Sequence, residues 1–420
     1  MDLSQNRWMS LLESDDVSDL SFRLAERWWA SDFESIPLTR IYTPEEQSGH
    51  DGRLDEFIDV LTREARHPPR DEAARQAVQE RLLEAFGTLG RSSLDLEEAH
   101  LRLFQMPGLS EAARDFVQQA RRFDPDISGA HISQASRNAW VMHSLQILMD
   151  QQPRVTPAIL GYSLLYPYSD NYLDDPDVSD DAKAAFSRHL LRRLTDPGVS
   201  PANERERFIW GLVDMIEREF DPNEYPAVFY SLRAIHRAQQ RSVDLLRRDG
   251  APYEIDVLGI SLDKGGTSVV ADGYLVAGTL TVAQEEFLFG LGAYLQLLDD
   301  LQDVEADRQR GLLTVFSQTA GRWPLDGLTN RTLAFGLRVL EGVDCFDTRR
   351  LDVFRDLMVK STILLILEAA GLAGSLYRQG YLADLERRCP FRFATLKRHR
   401  ERMTRRQPAL ARLLESLLAG

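Results

Sequence analysis

Phe287-Leu-Phe-Gly-Leu-Gly-Ala-Tyr294-Leu-Gln296-Leu-Leu-Asp299-Asp300-Leu-Gln-Asp303-Val-Glu-Ala-Asp307 is an apolar run that ends in acids. Apolar residues would cover almost every face of the helix it forms, which is the composition of a buried helix rather than a surface one. At about 100° per residue, Asp299, Asp303 and Asp307 fall within a stripe roughly 80° wide. Like charges one turn apart repel. Three aligned carboxylates beside an apolar wall therefore call for a cation.

The same arrangement occurs earlier in the chain. Ile159-Leu-Gly-Tyr162-Ser-Leu-Leu-Tyr166-Pro-Tyr168-Ser leads into Asp170-Asn-Tyr-Leu-Asp174-Asp175-Pro-Asp177. Asp170 and Asp174 are one helical turn apart, and Pro176 is expected to close the helix by pushing the residue before it out of the α region. Acids in a last turn face the negative end of the helix dipole, at a cost of about 0.3–1 kcal/mol each. Mg²⁺ suits such a site, because it takes carboxylate oxygens, keeps several waters and bridges to substrate phosphates. Asp175 and Asp300 adjoin the two sets and are counted with them as metal candidates.

Composition narrows the partners. The chain has 420 residues and a formal net charge of −15. That acidity disfavours nucleic acid, whose phosphates are bound by clustered Lys and Arg, but not a diphosphate delivered with Mg²⁺. The two cysteines, Cys345 and Cys389, form no CxxC pair, which argues against a disulfide framework or a zinc site. With no signal-peptide pattern at the N-terminus, the cytoplasm is the expected location. The most apolar stretch, Ser361 to Tyr377, contains Glu368 and falls short of the ~20 residues of a membrane span, so it reads as a core helix.

No proline occurs between Pro252 and Pro324 or between Pro324 and Pro390, and no alternating run bounded by Asn-Gly or Asp-Gly turns suggests hairpins. The chain reads as all-α. Residues 1–95 are more polar and read as an N-terminal helical extension, 96–390 as a catalytic domain, and 391–420 as a basic C-terminal helix. That helix reads either as a solvated partner of the acidic body or as a lid over a diphosphate.

Between the acidic clusters, Arg233-Ala-Ile-His236-Arg237-Ala-Gln-Gln240-Arg241 places its named residues on one helix face. Arg233 and Arg237 are thereby candidates for phosphate oxygens, as are Gln296 and Arg310 beside the second cluster; a surface helix paired with nearby acids fits the pattern equally. Lys264-Gly-Gly266 follows, where two glycines in a helical tract suggest a kink that exposes backbone groups beside a lysine. Tyr166, Phe287 and Tyr294, with Trp140 and Tyr162, are candidates to line an apolar cavity and face a carbocation, although aromatics at helical spacing are more often plain core.

Gln296-Leu-Leu-Asp299-Asp300-Leu-Gln-Asp303-Val-Glu-Ala-Asp307 resembles the second aspartate motif of the class I isoprenoid synthases. Asp170-Asn-Tyr-Leu-Asp174-Asp175 resembles the first motif of squalene and phytoene synthases. Lys264-Gly-Gly is similar to the diphosphate-binding kink of prenyltransferases, and together with Tyr-Leu-Asp174 it resembles bacterial large terpene synthases of the tetraprenyl-β-curcumene type. The resemblance covers about Arg137 to Arg388. It implies a single helical bundle around a central active-site cavity, three Mg²⁺ ions, and a linear prenyl diphosphate that is ionised and cyclised or rearranged with release of diphosphate. Asp170, Asp174, Asp299, Asp303 and Asp307 would then carry the reaction.

Two departures bear on the subclass. No arginine pair follows Asp177, which counts against a chain elongase, and Arg378-Gln-Gly-Tyr381 does not reproduce the Arg-Tyr pair of microbial cyclases. A coupling enzyme joining two prenyl diphosphates and a helical interaction protein without chemistry are the alternatives, and a homodimer is left open.

Overall fold

A computed structural model describes residues 17–106, 108–175, 177–246 and 254–418. Among them the chain is helical, with no β-strand, as the all-α reading expected. The N-terminal helices are α1 (Val17–Trp29), α2 (Pro44–Glu64), α3 (Glu72–Ser93), α4 (Glu98–Phe104) and α5 (Leu109–Phe123). Next come α6 (Gly129–Leu148), α7 (Pro157–Asp174), α8 (Asp180–Arg193), α9 (Glu204–Glu219) and α10 (Pro226–Ser242). The series continues with α11 (Val257–Ala277), α12 (Val282–Gln302), α13 (Val304–Arg310) and α14 (Val315–Thr319). It ends with α15 (Asp326–Glu341), α16 (Leu351–Leu372), α17 (Gln379–Glu386) and α18 (Phe393–Leu418).

The central unit is the helical hairpin α11–α12, whose two helices share the most extensive contact in the fold. Gly278 makes the turn with φ +72°, a conformation that favours glycine, and a β-carbon there would also press on the rings of Tyr225 and Phe220. Thr281 then starts α12 with a capping box: its hydroxyl accepts from Gln284 N at 3.3 Å, while Gln284 Oε1 accepts from Thr281 N at 2.9 Å. Helix α11 runs unbroken through Lys264-Gly265-Gly266, so the expected interruption is absent. The glycines serve packing instead. A β-carbon on Gly265 would strike the carbonyl of Gly292, and one on Gly292 would strike the carbonyl of Gly265, so the two backbones meet with no side chain between them.

Other helices pack around this hairpin. Helix α10 lies along α11, α6 touches both α7 and α11, α9 packs on α7, and α15 and α16 cover α12. Residues before 95 do not all stand apart, since α1 docks on α11 and buries Trp28 completely. The Trp28 indole N–H donates to Thr332 Oγ1 at 3.2 Å, and Arg331 lies over the rings of Trp28, Trp29 and Phe33.

The basic C-terminal helix α18 is held by acids of α2. Arg398 meets Asp55 at 2.8 Å, Arg402 meets Asp59 at 2.6 Å, and Arg392 pairs with the buried Asp51. Ala65, Val78 and Leu413 form a small separate core. Both cysteines are free, and no helix among the described residues is long and apolar enough to cross a membrane.

Candidate functional site

The acids of the second cluster straddle a joint. Helix α12 stops at Gln302 and α13 starts at Val304, with Asp303 between them at φ −97°, ψ 11°, in the sparsely populated bridge region. The i→i−4 ladder nevertheless crosses the joint: Asp303 N donates to Asp299 O at 2.9 Å and Asp307 N donates to Asp303 O at 2.8 Å. Asp299, Asp303 and Asp307 therefore stay one turn apart, as their spacing predicts.

Their electrostatics bear the mark of crowding. Asp307 is buried, and desolvation, followed by the charges of Asp303 and Asp299, pushes its carboxyl up to about 6 against the pull of Arg310. Asp299 is raised as well, first by desolvation and then by Asp303, while Arg137 and Lys264 act in the opposite direction. Its side chain is reachable by solvent yet hemmed in by protein, as expected for a group in the wall of a recess. Asp300 points inward. It is buried and pushed up to about 7 by desolvation, while the Gln296 amide N–H donates to its Oδ1 at 2.9 Å and its Oδ2 has no partner.

The recess holds about 210 Å³ where α10, α11 and α12 meet. Ile235, Lys264, Gly265, Ser268, Gln296 and Asp299 are among its walls. Lys264 is half-buried there, close enough to lower the pKa of Asp299. The structure thus brings together three of the sequence candidates, Lys264, Gln296 and Asp299, and continues the acids through the exposed Asp303 to the buried Asp307.

The first cluster closes α7. Thr156 caps the helix start by accepting from Ile159 N at 3.3 Å, and Pro167 sits inside the helix, three residues before Asp170. With no N–H at Pro167, the carbonyl of Ser163 loses its helical partner. Asp170 is buried. Asp175 is the C-cap, and its Oδ1 accepts from Asp177 N at 2.9 Å. The side chains of Asp174 and Tyr166, and the whole of Pro176, lie outside the described residues. Asn171, next to Asp170, exchanges hydrogen bonds of 3.2 and 3.3 Å with Gln134 on α6. Arg137 follows Gln134 by three residues, and its charge reaches Asp299. One turn of α6 therefore bonds the first acidic helix end and carries a cation whose charge acts on the second.

Arg137 was not distinguishable in the sequence as a site residue; it is a single exposed cation in Gln134-Ala-Ser-Arg137-Asn-Ala-Trp140. Other candidates lie elsewhere. Arg233 donates to the carbonyl of Leu194, the C-cap of α8, at 3.1 Å and lies over the Tyr230 ring. His236, buried against Ser187 of α8 at 2.9 Å, is held down to about 4 by desolvation. Arg241 pairs with the buried Asp263, and Arg237 is half-buried on the same helix. Phe287 packs edge-on against Phe346, and Tyr294 is fully buried edge-on to Phe335, over Gly336. Both are core aromatics. Tyr162 is buried and Trp140 is exposed.

Asp299, Asp303 and Asp307 offer only carboxylate oxygens, a donor set suited in kind to Mg²⁺. Among the described residues no group of three or more His, Cys, Asp or Glu side chains could by itself hold a metal ion. No protein-family model, curated protein or solved structure matches the chain.

Proposed function

We propose that this chain is a Mg²⁺-dependent class I terpene synthase, which ionises a linear prenyl diphosphate and cyclises or rearranges the resulting carbocation. One observation carries the reading. Asp299, the first of the stripe continued by Asp303 and Asp307, lies in the wall of a recess that also holds Lys264, and the turn of α6 bonded to the other acidic helix end carries the Arg137 charge that acts on Asp299.

Mg²⁺, when bound by these carboxylates, would neutralise charge on the diphosphate and make it a better leaving group. Lys264 and Arg137 add cationic charge near Asp299, where the diphosphate would lie. Asp303, exposed, and Asp307, buried, continue the row of oxygen donors. The reaction breaks one allylic carbon–oxygen bond, and the bonding electrons leave with the diphosphate.

Purified protein should release inorganic diphosphate from at least one prenyl diphosphate of about ten to twenty-five carbons, and only with a divalent cation. Mass spectrometry of the extracted product then separates cyclisation from coupling, because coupling doubles the carbon count. Failure to release diphosphate from any chain length would overturn the reading.

A further inference from the structure

Helix α18 carries seven Lys and Arg residues against two acids, Glu401 and Glu415, in a chain whose net charge is −15. Its pairs with α2 take up only some of these cations. Arg392, just before the helix, then Arg398 and Arg402 meet Asp51, Asp55 and Asp59 in the same order along both helices, so α2 and α18 run side by side in one direction. The ribbon continues past the last pair, where Ala65 packs with Leu413 and the Ser416 hydroxyl donates to the carbonyl of Pro69.

Other cations of this ribbon are unopposed. Lys397, Arg400, Arg406 and Arg412 of α18, with Arg66 and Arg70 in the loop beside its end, make no ion pair among the described residues, and all but the half-buried Arg406 are exposed. The two acids of the helix are engaged. Glu401 meets Arg405 at 3.8 Å, and Glu415 lies against Gly129, the first residue of α6, where the positive end of the helix dipole favours it. Lys397, Arg400 and Arg412 fall within an arc of about 120° and span about 22 Å of the helix axis. That arc is opposite the face that buries Leu396, His399 and Leu413. The ribbon thus presents a local field opposite in sign to the molecule as a whole.

We infer that this face docks on a lipid bilayer that carries anionic head groups, lying on it without inserting. Charge complementarity calls for an anionic partner, and basic amphipathic helices bind anionic lipid surfaces. Two features favour lipid over nucleic acid. No Phe, Tyr or Trp lies between Lys397 and Arg412 on which bases could stack. Leu414, exposed two residues past Arg412, offers an apolar contact that lipid accepts and a phosphate backbone does not. The main apolar face of α18 is already packed against the protein, so attachment is electrostatic, and each cation strengthens it about fivefold. This docking is independent of the chemistry at Lys264 and Asp299.

The test is sedimentation of the full chain with lipid vesicles. The protein should bind phosphatidylcholine vesicles containing about one-third phosphatidylglycerol and not pure phosphatidylcholine, and about 0.5 M salt, where screening acts within roughly 4 Å, should release it. Arg400→Gln and Arg412→Gln, both at exposed positions, should each weaken binding about fivefold and together about twenty-five-fold. Arg322→Gln, which removes an exposed cation outside the ribbon, should leave it unchanged. Duplex DNA at an equal concentration of phosphate should not displace the vesicles. No binding to anionic vesicles at low salt, equal binding to neutral ones, an equal loss in Arg322→Gln, or displacement by DNA would overturn the inference.

Discussion

Glu285 lies in the first turn of α12, buried, with the Tyr274 hydroxyl donating to its Oε1 and no partner for its Oε2. Desolvation, helped by the charge of Glu286, pushes its carboxyl up to about 8 from the ordinary 4.5. The folded protein therefore holds this proton where the unfolded chain has released it. Stability is unaffected below about pH 4.5, falls as pH rises, and stops falling above about pH 8. Integrated between pH 5 and pH 8, this one group should remove on the order of 3 kcal/mol.

Glu285→Gln keeps the shape and the acceptor for Tyr274 but cannot ionise. Its buried amide N–H groups add a fixed cost, so the informative quantity is a double difference: stability of variant minus wild type at pH 8, less the same difference at pH 5. That difference cancels the fixed cost and the titration of every other acid. Urea unfolding at the two pH values, followed by circular dichroism, measures it. A positive double difference of a few kcal/mol is expected, and a value within about 0.5 kcal/mol of zero would refute the argument that burial keeps Glu285 protonated.

Gly292→Ala should destabilise the protein by about 2–3 kcal/mol or more, since its methyl group meets the Gly265 carbonyl; an unchanged urea midpoint would contradict the packing described. Asp299→Ala and Asp303→Ala should each abolish diphosphate release with no loss of melting temperature, because they relieve repulsion; a large drop in melting temperature would show the acids to be structural. Lys264→Ala should weaken diphosphate binding, and an unchanged kcat and KM would remove Lys264 from the site. Chelation with EDTA should stop turnover, with activity restored by Mg²⁺; full activity in EDTA would exclude the proposed metal dependence.

Much of the helical plan was legible, because proline-free apolar tracts leave few alternatives to long helices. The tract from Pro252 to Pro324 still hid its internal joints. Gly278 followed by Thr281 and Gln284 is a readable stop-and-restart signal. The joint at Asp303 carries no glycine or proline and was not readable. Lys264-Gly-Gly shows why local rules misled: glycine lowers helix propensity, but here the loss is outweighed by close contact with Gly292, a residue far away in sequence. The acidic stripe was readable because the i→i−4 ladder carries its four-residue spacing across the joint at Asp303. Arg137 was not, since its link to Asp299 depends on how α6 lies across the bundle. The direction in which the basic face of α10 turns was hidden for a related reason: Arg233 and His236 bond to α8, a placement set by packing and not by helical spacing.

The glycine contact between α11 and α12 sets how the recess can vary. Lys264 adjoins it on one helix, and Asp299 stands seven residues beyond it on the other, about 10 Å along the axis. With backbone against backbone, no rotamer change can slide one helix past the other, so cation and acid belong to one stiff frame. An engineer who wants a different pocket should leave that frame alone and randomise Ile235, Ser268 and Leu295, whose side chains line the recess without setting the helix spacing.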